Sequence, residues 1–134
     1  VSCLQVYVGK VYDLLEPRGH DLPVREAPGH EVVVAGLSEV EVLSPDHFSE
    51  VYSRAVRNRT TAATALNDVS SRSHAIVRIR VQRDGRLGVL HLVDLAGSED
   101  NRRTNNRGVR MQESSEINMS LFVLGQCIEA LACH

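Results

Sequence analysis

From Leu87 to Leu95 the chain is apolar except at Gly88, His91 and Asp94. A run of this length with no polar alternation predicts a strand covered on both faces, hence one near the middle of a sheet. Just before it, Ala75, Val77, Ile79 and Val81 alternate with His74, Ile76, Arg78 and Arg80, the period of a strand with one wetter face. Asp84-Gly85 between the two predicts a tight turn. The second strand therefore ends on an acid, Asp94, followed three residues later by Gly97.

Elements of other kinds surround this hairpin. Residues 1 to 8 are rich in β-formers and predict a strand, with a short helical turn over 11 to 15. Pieces at 22–26, 31–35 and 39–43, punctuated by Pro28-Gly29 and Gly36, predict an antiparallel outwork. Ser44-Pro45-Asp46 opens a helix with the apolar stripe Phe48, Val51, Tyr52, Ala55, expected to fade near Asn58. Polar residues from 59 to 72 predict a loop with a helical start, and those from 96 to 112 a second, long loop. A second helix is expected from Glu113, with apolar positions Ile117, Leu121, Leu124, Ile128 and Leu131.

With 134 residues the chain holds at most one modest domain, or part of one. It starts on Val1 and stops inside an apolar periodic pattern, so both ends are expected to be cuts within a larger fold. A 43% hydrophobic and 24% charged content is that of a globular protein and excludes a collagen-like or disordered chain. There is no run of 18 apolar residues and no signal-peptide pattern, so no membrane partner is expected. One lysine stands against fourteen arginines, yet the net charge of -2 implies no bulk polyanion partner. Cys3, Cys127 and Cys133 lack Cys-x-x-Cys spacing and fit reduced thiols rather than a disulfide scaffold or a metal site.

The chemistry lies at two places. An acid ending a strand, with glycine three residues on, can hold magnesium through water and offer a glycine N–H to a γ-phosphate. By itself the pattern is also an ordinary strand-ending turn. The second place is Asn67-Asp68-Val69-Ser70-Ser71-Arg72-Ser73-His74, a hydroxyl-dense stretch whose serines could ligate magnesium or could simply cap their own turn.

Together the two stretches resemble switch I and switch II of the kinesin motor domain. Asn67 to His74 matches the pattern of an asparagine, two residues and Ser-Ser-Arg-Ser-His, and Asp94 to Glu99 matches Asp-Leu-Ala-Gly-Ser-Glu. Val1 to Leu15, Asn58-Arg59 and Ile117 to Leu121 are similar to the family as well, and residues 100–104 and 120–125 look most like the chromosome-arm kinesins of the Kid type. The resemblance implies an α/β fold, part of the kinesin P-loop NTPase motor, with a central mixed β-sheet flanked by helices. It places switch I at about 59–74, switch II at about 94–112 and a track-binding helix at about 113–132.

By the same resemblance the cofactors are ATP and Mg2+. Ser71 would ligate the magnesium and Asp94 would hold it through water. Asn67 and Ser70 would contact the γ-phosphate or the attacking water, and the Gly97 amide would sense the γ-phosphate. Glu99 and Arg72 would pair across the switches, and with Ser70 they form the catalytic set. Arg102, Arg103, Arg107 and Arg110, in a loop without acids between them, together with Asn118 of the helix, would face acidic tubulin. Met119 stands where the family often has lysine, and Asn105 where glycine is common. No Gly-x-x-x-x-Gly-Lys-Ser/Thr occurs in the chain, so this segment by itself is expected to bind ATP poorly.

The implied function is a microtubule motor that couples ATP hydrolysis to movement, in spindle and chromosome work. Its implied places are the cytoplasm, microtubules and spindle, with the nucleus open to it, and chromosomal DNA would be met only through other regions. Two other readings stand beside it: a kinesin-like microtubule-binding module without ATPase activity, and a signalling GTPase. The last shares Asp-x-x-Gly but leaves Asn67 to His74 without a role.

Overall fold

A computed structural model describes residues 1–29, 31–64, 69–98 and 109–133, with backbone alone at 61–64, 69–70 and 109–110. Four strands form one sheet in the order β2-β1-β5-β6: β1 (Ser2–Tyr7), β2 (Lys10–Asp13), β5 (His74–Arg83) and β6 (Arg86–Asp94). All three pairings are antiparallel, and Gln5 lies opposite Ala75, which lies opposite Asp94. A separate ribbon of β3 (Val24–Ala27) and β4 (Glu31–Val34) is the expected outwork. Two long helices, α1 (Pro45–Thr64) and α2 (Val109–Ala132), and a short 3-10 turn, η1 (Val69–Arg72), complete the described elements. No described helix is long and apolar enough to cross a membrane.

Residues 11 to 15 form no helical turn. Val8 and Gly9 take φ values of 48° and 69°, a two-residue turn that folds Lys10–Asp13 back on β1 as a strand. The second such turn, Asp84-Gly85 at 51° and 73°, joins β5 to β6 as expected. Residues 39–43 are not a strand either. Val40 instead exchanges two backbone hydrogen bonds with Val1, at 2.7 and 2.9 Å, beside the start of β1.

Helix α1 begins where the capping pattern puts it. Ser44 Oγ accepts the His47 N–H at 3.1 Å and the Ser44 carbonyl accepts the Phe48 N–H at 3.0 Å. It runs past Asn58 to Thr64: Asn58 Nδ2 donates to the Leu14 carbonyl at 2.7 Å, which ties that turn to the core, and Thr60 Oγ1 donates back within the helix to the Val56 carbonyl at 2.9 Å. Val51 and Ala55 of its stripe are buried against Cys3, Leu14 and Leu15, the centre of the core. Tyr52 stays half exposed and stacks on Phe48.

Two expectations about burial fail. The apolar strand β6 lies at the sheet's edge, and Leu87, Val89, Leu90, Leu92, Val93 and Leu95 are 46% to 56% exposed. Its composition is that of a covered strand, but among the described elements only β5 pairs with it. Helix α2 starts at Val109, before Glu113, and of its five expected core positions only Ile117 is buried. Its first half meets the rest of the fold, with Glu113, Ser114 and Ile117 buried and Ser120 bonded to His74.

Candidate functional site

The end of β6, the turn η1 and the first half of α2 meet at one end of the sheet. Ser71 and Arg72 close η1. The Gly97 N–H donates to the Ser71 carbonyl at 3.3 Å, which places the turn after Asp94 against the Ser-Ser-Arg turn. Among the described residues, no atom outside its neighbours lies within 4 Å of where a Cβ would stand on Gly97.

Helix α1 reaches the same place from the other side. The Arg59 guanidinium bonds the Asp94 carboxylate at 2.6 Å through Nη1 and the Ser73 carbonyl at 3.0 Å through Nη2. One residue thereby ties the strand-ending acid to the stretch leading out of η1. With the Asp94 side chain 69% exposed, the pair is worth at most about 1 kcal/mol.

A more buried ionic group lies beneath. Arg72 Nη1 bonds Glu113 Oε2 at 3.0 Å, and Tyr7 donates its hydroxyl to Glu113 Oε1. The Glu113 side chain is only 6% exposed, so these donors stand where water would otherwise meet its oxygens. Burial and the Glu113 carboxylate together push the Tyr7 hydroxyl up to about 12, which keeps it a donor. Beside this group, His74 accepts the Ala96 N–H on Nδ1 at 3.0 Å and lies 2.8 Å from Ser120 Oγ through Nε2. Burial first, then the Arg59 charge, hold the imidazole below its ordinary value against an upward pull from Asp94.

The site residues expected from the sequence fall into three groups. Ser71, Arg72, Asp94 and Gly97 are brought together at this end of the sheet. Asn118 lies half-buried on α2, and Ser70 and Arg110 are placed by backbone only, in η1 and in the first turn of α2 rather than in a loop. Asn67, Glu99, Arg102, Arg103 and Arg107 lie outside the described residues, and with them the Arg72–Glu99 pair. Tyr7, Arg59, Glu113 and Ser120 were given no role from the sequence, and His74 only a place in a motif. Nothing local marks them, since each has a side-chain partner far along the chain: Tyr7 and Arg72 at Glu113, Arg59 at Asp94, and His74 at Ser120, at least 35 positions apart.

The donor set fits a hard cation. One carboxylate, Asp94, and one hydroxyl, Ser71, suit a magnesium that draws the rest of its shell from phosphate and water. Among the described residues no group of three His, Cys, Asp or Glu side chains forms an all-protein metal cage.

Comparison with known proteins adds the relationship. The family model described as the kinesin motor domain matches residues 1–134. "Kinesin-like protein KIF22" of Xenopus tropicalis is 46% identical over 138 residues, covering 98% of this chain and 22% of its own length. "Kinesin-like protein KIN-10C" of Oryza sativa subsp. japonica is 49% identical over 131 residues, with 98% and 22% covered. This chain thus spans about a fifth of the length of these curated relatives. A solved structure of a fast kinesin, discussed for its ATPase mechanism and interactions with microtubules, superimposes with a TM-score of 0.74 at 39% identity. It covers 87% of this chain and 35% of that one.

Proposed function

Since the chain belongs to the kinesin motor domain family, we propose that it is a segment of an ATP-driven microtubule motor, carrying the two switches and the helix that reports to the track. The observation that supports this most is the convergence of Gly97, Ser71, Arg72 and Glu113. The turn after Asp94 touches η1, and η1 touches α2, so a change at the nucleotide has a short physical route to the helix.

In this reading Ser71 and Asp94 would hold magnesium, the latter through water, while Asn67 and Ser70 would orient the γ-phosphate and the attacking water. When bound, magnesium neutralises charge on the phosphates. The Gly97 N–H leaves the Ser71 carbonyl for a γ-phosphate oxygen, and Arg59 yields the Asp94 carboxylate. Arg72 exchanges its partner Glu113 for Glu99, which takes a proton from the lytic water. A bistable arginine of this kind is worth about 1–3 kcal/mol of coupling, the usual size for linked sites. Arg102, Arg103, Arg107 and Arg110 with Asn118 face tubulin. By analogy with the Kid-type relatives the motor serves the spindle, in the cytoplasm and on microtubules, with the nucleus open to it.

Glu99→Ala in the intact motor tests the reading. The variant should bind ATP and microtubules normally while microtubule-stimulated turnover falls by about 10²-fold or more, the scale of a lost general base. Unchanged turnover would remove Glu99 from its role. Microtubule binding that ignores nucleotide altogether would favour a binding module without ATPase activity.

A further inference from the structure

His74 sits where the turn after Asp94, the start of β5 and helix α2 meet. The Ala96 backbone can only donate, so Nδ1, 3.0 Å away, must be bare. The neutral ring then carries its proton on Nε2, directed at Ser120 Oγ at 2.8 Å. Ser120 in turn donates to the Ile117 carbonyl at 2.7 Å, so each N–H and O–H in the row has an acceptor. The row is largely dry: His74 is 8% exposed, and Ala96 and Ile117 are buried.

We propose that His74 is a positioning residue that fixes the turn after Asp94 to helix α2, through a row of hydrogen bonds from Ala96 to Ser120. It rests on the motor reading above and adds a second link from strand end to helix, separate from Arg72–Glu113. The ionic link runs from η1 to Glu113, nearly two turns before Ser120. The imidazole instead grips the backbone between Asp94 and Gly97 directly. Moving Ala96 therefore moves the imidazole that donates to Ser120, and a shift of α2 is felt at the glycine that faces the γ-phosphate.

Two isosteres cut the row at different ends. An asparagine amide oxygen falls near Nδ1 and keeps the Ala96 bond, whereas a glutamine amide nitrogen falls near Nε2 and keeps the Ser120 bond. In the intact motor, His74→Gln should raise amide hydrogen exchange at Ala96 by about five- to tenfold, and His74→Asn should do so for the first half of α2, each by the worth of one hydrogen bond. Both should lower microtubule-stimulated kcat by about five- to tenfold with the KM for ATP within about twofold. Ser120→Ala, which leaves the imidazole in place, should reproduce His74→Asn and keeps the test valid if the His74 variants fail to fold.

Unchanged exchange at both ends in all three variants would overturn the bridge, as would a rise in KM with kcat intact. If the unaltered motor itself shows no ATPase activity, the motor reading falls, while the exchange data still decide the bridge.

Discussion

A single neutral imidazole at position 74 bonds a backbone amide on one side and a helix hydroxyl on the other, and its chemistry makes the site sensitive to acid. Burial and Arg59 lower its affinity for a proton relative to the unfolded chain, and Asp94 only partly offsets them. The unfolded chain takes up the proton first as pH falls, so this contribution to stability is full above about 6.5 and is lost as pH drops toward the depressed folded value. Urea unfolding of the intact motor at pH 7.5 and 5.5 should show a lower midpoint in acid, and the difference should shrink in His74→Gln. The role of this residue was not legible beforehand. His74 belongs to a stretch picked out by its spacing, but a histidine that satisfies an amide 22 residues away looks like any other histidine in a strand.

Among the elements, the N-terminus of α1 was readable because capping is local: Ser44, Pro45 and Asp46 act within one turn of the groups they satisfy. Ser44→Ala should cost about 1 kcal/mol, measurable as a lowered denaturation midpoint. The end of the same helix was misplaced, since what holds Asn58 is the Leu14 carbonyl, 44 positions away. The contact of η1 with α2 is likewise long-range, and its sign is set by burial. Removing one side of Arg72–Glu113 leaves a charge in a largely dry place, so Arg72→Ala and Glu113→Ala should each destabilise by about 3 kcal/mol or more. The double variant should cost less than the sum of the two, and a denaturant double-mutant cycle measures the difference. A strictly additive cycle would mean that the pair is not coupled.

Across the whole segment the strongly apolar surfaces are at the edge strand β6 and along the second half of α2, where Phe122, Ile128 and Leu131 are exposed. The basic cluster from Arg102 to Arg110 has no counterpart in the near-neutral net charge, so its effect is local. If it meets tubulin as proposed, microtubule affinity should fall steeply as salt rises from low ionic strength to 0.15 M, where the screening length is about 8 Å. Replacing Arg102, Arg103, Arg107 and Arg110 by glutamine should weaken binding and flatten that dependence. Co-sedimentation at several salt concentrations checks both, and an unaltered slope would take the arginines off the track.

Short-range physics let the amino-acid order determine a good deal: the β5–β6 hairpin with its Asp84-Gly85 turn, the cap of α1, and the two spaced motifs that assign the family. Alternation, capping and motif spacing each depend on residues within a few positions of one another. Which way an apolar run faces, and what a buried charge meets, depend on neighbours far along the chain. Only the tertiary structure decided that β6 is an edge among the described strands, that residues 10–13 are a strand, and that Arg59, Glu113 and His74 bind η1 and the turn after Asp94 to one another and to α2. The bonds from Arg59 to Asp94, Arg72 to Glu113, and His74 to Ala96 and Ser120 join positions 22 to 46 residues apart, and their strength comes from the burial that the fold creates.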